Sequence, residues 1–414
     1  MSETFVIPSA PPSRRLAAKL TDGMLWLTMC CGSVVFFEPS PYDVMILVTM
    51  ALWAFGGFSI HRAVLPYVLA LSLWVLGAFI SLVPYWNETD PVAHVLTSFY
   101  LATTGVFFAL YTSQDSTRRL DLLLSGYTIS CVLAAAVAVA TWLAAGGEES
   151  AWVLNGRATA PFKDPNVLGS YLVAGALYLT QRLLLGRLRY LWLTLPNLGL
   201  ILAALFLTFS RGSWGAWMIA TGLMVFCLYR TADSRRMRRM IVGGAAATAL
   251  TVLVGVAGAL SVDSVREFFF IRAAVQQDYD SGPYGRFGNQ LRSLPMLTER
   301  PTGFGPMRFI LSFPQAPHNS YINAFASDGW LGGFAFIAMA AGALAIGFRQ
   351  CLTRHPWMRQ AQILFPTTFV YFVQGIQIDI DHWRMFHMSL GAVWGIEAAR
   401  RRWLARGDPE GAAP

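Results

Sequence analysis

The stretch RRMRRMIVGGAAATALTVLVGVAGAL, residues 235–260, decides the fold class. Four arginines lead into a run from Met240 to Leu260 that holds no charged side chain. A helix needs roughly 20 apolar residues to cross a hydrocarbon layer, and basic clusters mark the side on which such helices begin or end. The same alternation extends outward in both directions. Apolar runs lie at 20–37, 44–58, 63–83, 92–112, 122–145, 166–185, 190–210, 212–229, 240–260, 319–348, 361–378 and 383–399. The run 44–58 is short, and 383–399 contains Glu397.

Composition agrees. The 414 residues are 55% hydrophobic and 13% charged, with a mean hydropathy of +0.48. A soluble domain carries roughly 25% charged residues. An ordinary soluble enzyme and a disordered chain are both excluded. The expected fold is all-α, a polytopic transmembrane helix bundle of about 12 spans at roughly 20 residues each. The expected organisation is a cytoplasmic tail (1–19), nine spans (20–260), a long periplasmic loop (261–317), three spans (318–399) and a cytoplasmic tail (400–414). Phe36-Phe37-Glu38-Pro39 is not a small-residue cleavage site, so the first apolar run is expected to remain as a span.

Orientation follows from the basic residues. With the N-terminus inside and strict alternation, 21 of the 31 Lys and Arg residues fall on the inside. The net charge of +8 is therefore read as membrane orientation, not nucleic-acid binding. The five cysteines (Cys30, Cys31, Cys131, Cys227, Cys351) form no CxxC, so neither a disulfide framework nor a zinc site is expected. The cores of the apolar runs are read as free of Asp, Glu, Lys and Arg. Ion-coupled carriers usually need such groups at mid-membrane depth, so chemistry is expected at the outer ends.

Several segments there bear on function. In Thr208-Phe209-Ser210-Arg211-Gly212-Ser213, Ser210 is placed to cap the following helix. A helix start with free N–H groups, beside a guanidinium, suits a phosphate, although Arg211 could equally snorkel to headgroups. The long loop carries Arg266, Arg272, Arg286, Arg292, Arg300 and Arg308 and no lysine, which favours planar anion recognition over mere solubility. Helices are predicted at Ser264–Gln277 and Gly285–Glu299, the second disturbed by Pro295, followed by a rigid turn at Arg300–Pro306. His318, before Asn319 and Ser320, is either a general base or a capping histidine. In Gly156–Asn166, Asp164-Pro165-Asn166 signals a helix start, and Arg157 and Lys163 are candidate substrate contacts. In Asp379–His387 an Asp/His pairing could be catalytic or metal-binding, but the mixed spacing matches no ligand pattern, and the stretch is read as an interfacial anchor with ion pairing.

These segments together resemble the bacterial O-antigen ligase and polymerase family. The resemblance rests, in order, on Pro161–Asn166, Ser210–Gly215, Gly285-Arg286 leading to Thr298–Gly305, His318–Tyr321 and Asp328–Gly332. It spans roughly 155–348; the first 150 residues match only in hydropathy. The resemblance implies a membrane-embedded glycosyltransferase of the bacterial inner membrane, with its active site facing the periplasm. It would be metal-independent and inverting, and would use no cofactor. By the same resemblance Arg211 and Arg286 hold the diphosphate of a polyprenyl-diphosphate-linked glycan donor, and His318 activates the acceptor hydroxyl. Asn319, Arg157 and Lys163 complete the expected substrate-binding set. The acceptor is lipid A core for a ligase, or a growing O-antigen or exopolysaccharide chain for a polymerase. A glycan flippase or export channel without catalysis is the reading from another class.

Overall fold

The computed structural model describes residues 12–57, 59–186, 188–273, 282 and 285–406. Fifteen helices follow one another among these residues: α1 Pro12–Cys30, α2 Pro41–Gly56, α3 Leu65–Leu82, α4 Thr89–Thr112, α5 Ser116–Ala144, α6 Pro165–Leu184, α7 Leu191–Leu207, α8 Arg211–Arg230, α9 Arg235–Ala259, α10 Asp263–Ala273, α11 Arg286–Thr298, α12 Phe309–Ser312, α13 Ser320–Leu352, α14 Met358–Gln374 and α15 Arg384–Ala405. The only described sheet is a two-stranded ribbon, β1 (Val153–Leu154) with β2 (Arg157–Ala158). The chain is an all-α polytopic membrane protein.

Each of the twelve apolar runs forms a helix. Seven helices are long and apolar enough to cross a membrane, and α2 and α7 are shorter apolar helices. The other three fall outside that set for physical reasons. Helix α1 begins at Pro12, well before the expected residue 20, and so takes in Arg14, Arg15 and Lys19. Helix α14 is as short as α7 but carries Arg359, Gln360, Gln362, Thr367, Thr368 and Gln374, so it is less apolar. Helix α15 bears Glu397 and a basic end, but Met385 through Ala399 are all buried. A helix surrounded by protein need not be apolar toward lipid, so hydropathy alone undervalues it. Glu397 is fully buried and meets Arg349 at 2.6 Å, Arg400 at 2.9 Å and Arg401 at 2.7 Å, which explains how a carboxylate is tolerated there.

The opposite case is α9, the stretch that set the fold class. Ile241 is its only buried residue, while Leu250, Leu253 and Val254 are each more than 60% exposed. An apolar helix with no protein cover on most of its surface requires a hydrocarbon solvent.

The helices pack mainly as α13 on α3, α15 on α4, α1 on α2 and α5, and α14 on α8. Loops sort to two ends, following the expected alternation. At one end Arg384 holds Asp43 through two 2.7 Å bonds, Lys163 meets Glu38, and Tyr85 donates to the Phe304 carbonyl. At the other end Arg118 pairs with Asp22, Gln360 donates to Asp121, and Gln181 donates to the Arg359 carbonyl. A polar cavity of about 380 Å³ opens at this second end, between Arg118, Arg182 and Arg359. It lies away from His318.

One expectation is corrected. Asp328 is a carboxylate inside a run read as charge-free, and it is 5% exposed. The run is not one continuous helix: α13 breaks at Gly329, whose φ of +68° and ψ of −169° are non-helical. A Cβ at Gly329 would lie 2.5 Å from the Pro301 carbonyl, so only glycine lets the Arg300–Pro306 turn press against the break. Trp330 N–H donates to the same carbonyl at 2.8 Å, and the Trp74 indole N–H donates to Asp328 at 2.7 Å. The expected rigid turn thus docks into the kink.

The helices predicted in the long loop are present as α10 and α11. Pro295 sits within the last turn of α11, and the predicted extension of α10 to Gln277 lies outside the described residues. Of the six loop arginines, Arg266 pairs with Asp263, Arg292 and Arg300 lie over Phe313 and Phe304, and Arg308 pairs with Glu88 over the Tyr85 ring. Four of the six thus have protein contacts of their own.

Candidate functional site

Four segments meet at the end of the bundle that carries His318. They are the turn from α7 to α8, the start of α11, the start of α13, and residues 375–383 between α14 and α15.

The α7–α8 turn is short because Phe209 adopts φ +44°, which reverses the chain within one residue. Ser210 then caps α8 as expected, its Oγ accepting from Ser213 N–H. Such a cap contributes about 1 kcal/mol. The turn is braced from outside. Ser210 Oγ donates to Asn166 Oδ1 at 2.8 Å, and Asp164 caps α6 by accepting from Asn166 and Val167 N–H. Arg157 donates to the Thr208 carbonyl at 2.8 Å and to Asn166 Oδ1 at 2.7 Å. Arg157, expected to touch substrate, therefore buttresses the backbone that presents Arg211. Sequence reasoning missed this because the partner is a main-chain oxygen.

Lys163 stands apart. It pairs with Glu38 at 3.1 Å, both side chains 65% exposed, at the mouth of a cavity of about 160 Å³ that His382 and Arg384 also line. An exposed pair of this kind contributes at most about 1 kcal/mol. Lys163→Ala should leave the melting temperature and turnover of purified protein within twofold of wild type. A tenfold fall in turnover at unchanged folding would support a substrate contact at Lys163.

Arg286 is the first residue of α11, with Gly285 at the cap position as expected. Its Nη1 donates to the Gln377 carbonyl at 3.1 Å. One turn later Gln290 donates to the Pro317 carbonyl at 2.8 Å, so α11 holds both the 377 and 317 backbones. Gly212 closes the arrangement: a Cβ there would lie 2.7 Å from the Gln377 side-chain amide. Gln377 thus joins the Arg211 turn to Arg286, although its own sequence context carries no signal.

His318 has φ +45°, an uncommon conformation for a residue with a side chain. Asn319 caps α13, accepting from Tyr321 and Ile322 N–H, and its Nδ2 donates to the Ile376 carbonyl at 2.9 Å. Asn319, expected to bind substrate, spends these contacts on the backbone. Ser320 N–H donates to the Gly375 carbonyl at 2.7 Å, and Ile380 N–H donates to Ser320 Oγ at 2.7 Å. Residues 375–380 are therefore stitched to the start of α13. This brings Asp379 Oδ2 to 3.8 Å from His318 Nδ1, while Oδ1 accepts from Asn319 N–H at 3.1 Å. Burial pushes the Asp379 carboxyl up to about 7, reinforced by Asp381 and opposed by the backbone N–H groups of Asn319 and His318 and by Arg286.

The Asp379–His387 stretch has the expected ion pairing, Arg384 with Asp43, but its other polar side chains are largely buried in the bundle. Asp381 is 7% exposed and His387 fully buried, with His387 Nε2 bonded to the Asp381 carbonyl at 2.7 Å. Burial lowers the His382 imidazole to about 4, so it is neutral at ordinary pH. The sequence did not reveal this because the stretch connects α14 to α15 and is contacted by distant residues of α4 and α13.

What the arrangement offers chemically is an arginine at each of two helix starts, both joined through Gln377 to the segment whose Asp379 lies 3.8 Å from His318. Residues 196–337 match the family model described as O-antigen ligase. No curated protein matches the chain. The matched residues include Arg211, Arg286 and His318, and stop short of Asp379; Arg157 and Lys163 precede them. The match is narrower than the 155–348 read from the motifs: it takes in the segments from Ser210 to Gly332 and leaves Pro161–Asn166 outside. Over residues 196–337, about a third of its length, the chain is similar to the O-antigen ligase family.

Proposed function

We propose that the protein transfers a glycan from a polyprenyl diphosphate donor to an acceptor hydroxyl, at the periplasmic face of the bacterial inner membrane. The observation that supports this is the convergence on residues 375–379. Arg286 bonds the Gln377 carbonyl, the turn bearing Arg211 abuts the Gln377 side chain, and Asp379 lies beside His318.

The reaction is a single displacement. The acceptor oxygen attacks the anomeric carbon from the face opposite the diphosphate, and the hydroxyl proton passes to His318. The glycosyl–oxygen bond breaks with its electron pair leaving on the polyprenyl diphosphate, so the anomeric centre inverts. Arg211 and Arg286 neutralise the charge that develops on that leaving group, the electrostatic work that a divalent ion performs in many phosphate enzymes. Asp379 orients the imidazole. Under this reading the transfer needs no Mg²⁺.

A ligase acting on lipid A core is the preferred form, and a polymerase joining lipid-linked repeats is the alternative acceptor choice. The test uses purified full-length protein with lipid-linked glycan. The expected result is release of polyprenyl diphosphate with formation of an inverted linkage, at the same rate with and without added Mg²⁺. Lipid A core as sole acceptor supports the ligase, and lengthening of the donor glycan supports the polymerase. Transport of intact donor without bond cleavage would overturn the reading in favour of an export role. Tags within 261–317 should report the periplasm; a cytoplasmic report would remove the proposed sidedness.

A further inference from the structure

Beside the His318 segment lies a cluster that the transfer reaction does not use. His94, near the start of α4, meets Asp381 and His382 from the bend between α14 and α15. One ligand-capable atom from each lies within 4.8 Å of the others. The two imidazole rings are tilted, with centroids 4.3 Å apart. Asp381 is 7% exposed, and its Oδ1 is buried without a hydrogen-bond partner among the described residues. An orphaned buried carboxylate oxygen is costly and calls for a cation or a donor.

We propose that His94, Asp381 and His382 bind one divalent transition-metal ion of the zinc class, which fastens the bend between α14 and α15 to α4. The donor set selects the metal. Two imidazole nitrogens and one carboxylate oxygen suit Zn²⁺ and its neighbours, whereas Ca²⁺ and Mg²⁺ require nearly all-oxygen shells. Three protein ligands leave a fourth position for water. Bonds of roughly 2.0–2.1 Å draw such ligand atoms closer than they stand here, a change that side-chain rotation supplies.

Outer contacts support the ligands as they do in known sites. Ser98 Oγ lies 2.8 Å from His382 Nε2, which orients the ring. Asn323 Nδ2 lies 3.4 Å from Asp381 Oδ2, and His387 Nε2 holds the Asp381 main chain. The cavity of about 160 Å³ lined by Gly32, Lys163, His382 and Arg384 gives an ion a way in. No sequence motif announces the site, because His94 and His382 come from opposite parts of the chain.

The test is zinc binding to chelator-stripped, full-length protein in detergent, with Zn²⁺ alone as probe. The expected result is retention of about one zinc per chain after desalting, with a raised melting temperature. His94→Ala and His382→Ala should each weaken binding by more than about 100-fold. His355→Ala, whose ring is bonded to the Gln350 carbonyl at the other end of the bundle, should bind as wild type does. X-ray absorption of zinc-loaded wild type depends on no variant and should show two imidazoles with oxygen and no sulfur. Failure of wild type to retain zinc overturns the proposal. So does sulfur ligation, or full retention by the two variants. None of these readouts involves glycan transfer, so this site and the proposed reaction stand or fall separately.

Discussion

His318→Ala should lower glycan transfer by roughly 10²–10⁴-fold, the range expected when a general base is removed. The protein should still fold and still bind lipid-linked donor. Asn319 supplies the cap of α13, and Ser320 makes the main-chain bonds to residues 375–380, so neither depends on the imidazole. The backbone at 318 is already at φ +45° with a β-carbon in place, so alanine introduces no new atom into that conformation. Donor binding and product formation should be measured on one purified sample. If both fall together in proportion to misfolded protein, His318 is a structural residue and the catalytic assignment fails.

Arg211→Lys should be nearly as severe, a fall of about 10²–10³-fold in turnover, comparable to losing one preorganised donor at a developing anion. Lysine keeps the charge but presents a point instead of a planar fork, and it cannot grip two phosphate oxygens at once. The turn itself should survive, because Ser210, Asn166 and Arg157 hold it independently of the side chain at 211. Arg286→Ala should behave similarly. Arg235→Ala, at the opposite end of the bundle, should transfer glycan at the wild-type rate. Wild-type turnover in Arg211→Lys at normal protein levels would make Arg211 a membrane anchor only.

Local features were legible in the sequence to the extent that their cause is local. The twelve helices follow from apolar runs, and the caps at Asp164, Ser210 and Asn319 follow from short polar residues before them. What was not legible depends on distant segments meeting. Asp379 reaches His318 only because Ser320 and Asn319 capture the 375–380 backbone. Asp328 stands openly in its run, but the break at Gly329 beside it was not legible, because a broken helix and a continuous one share the same hydropathy. Arg157 and Lys163 carry equal charge in one short segment. Yet one braces a turn and the other faces Glu38 at the surface, a difference set by what lies opposite each.

The burial of α15 has a consequence for how the protein is made. The helix that fills the middle of the bundle, packed on α4 and α14, leaves the ribosome after α1 to α14. At about 5–20 residues per second, α4 waits many seconds beside lipid for its partner. The arriving segment is a poor candidate for insertion by itself, since Glu397 and its arginines would each resist entering hydrocarbon singly. Its place must be kept open by the earlier helices and then taken in one late docking step. Assembly of this protein should therefore be sensitive to changes on the α4 face that receives α15, even where those changes leave each span able to insert.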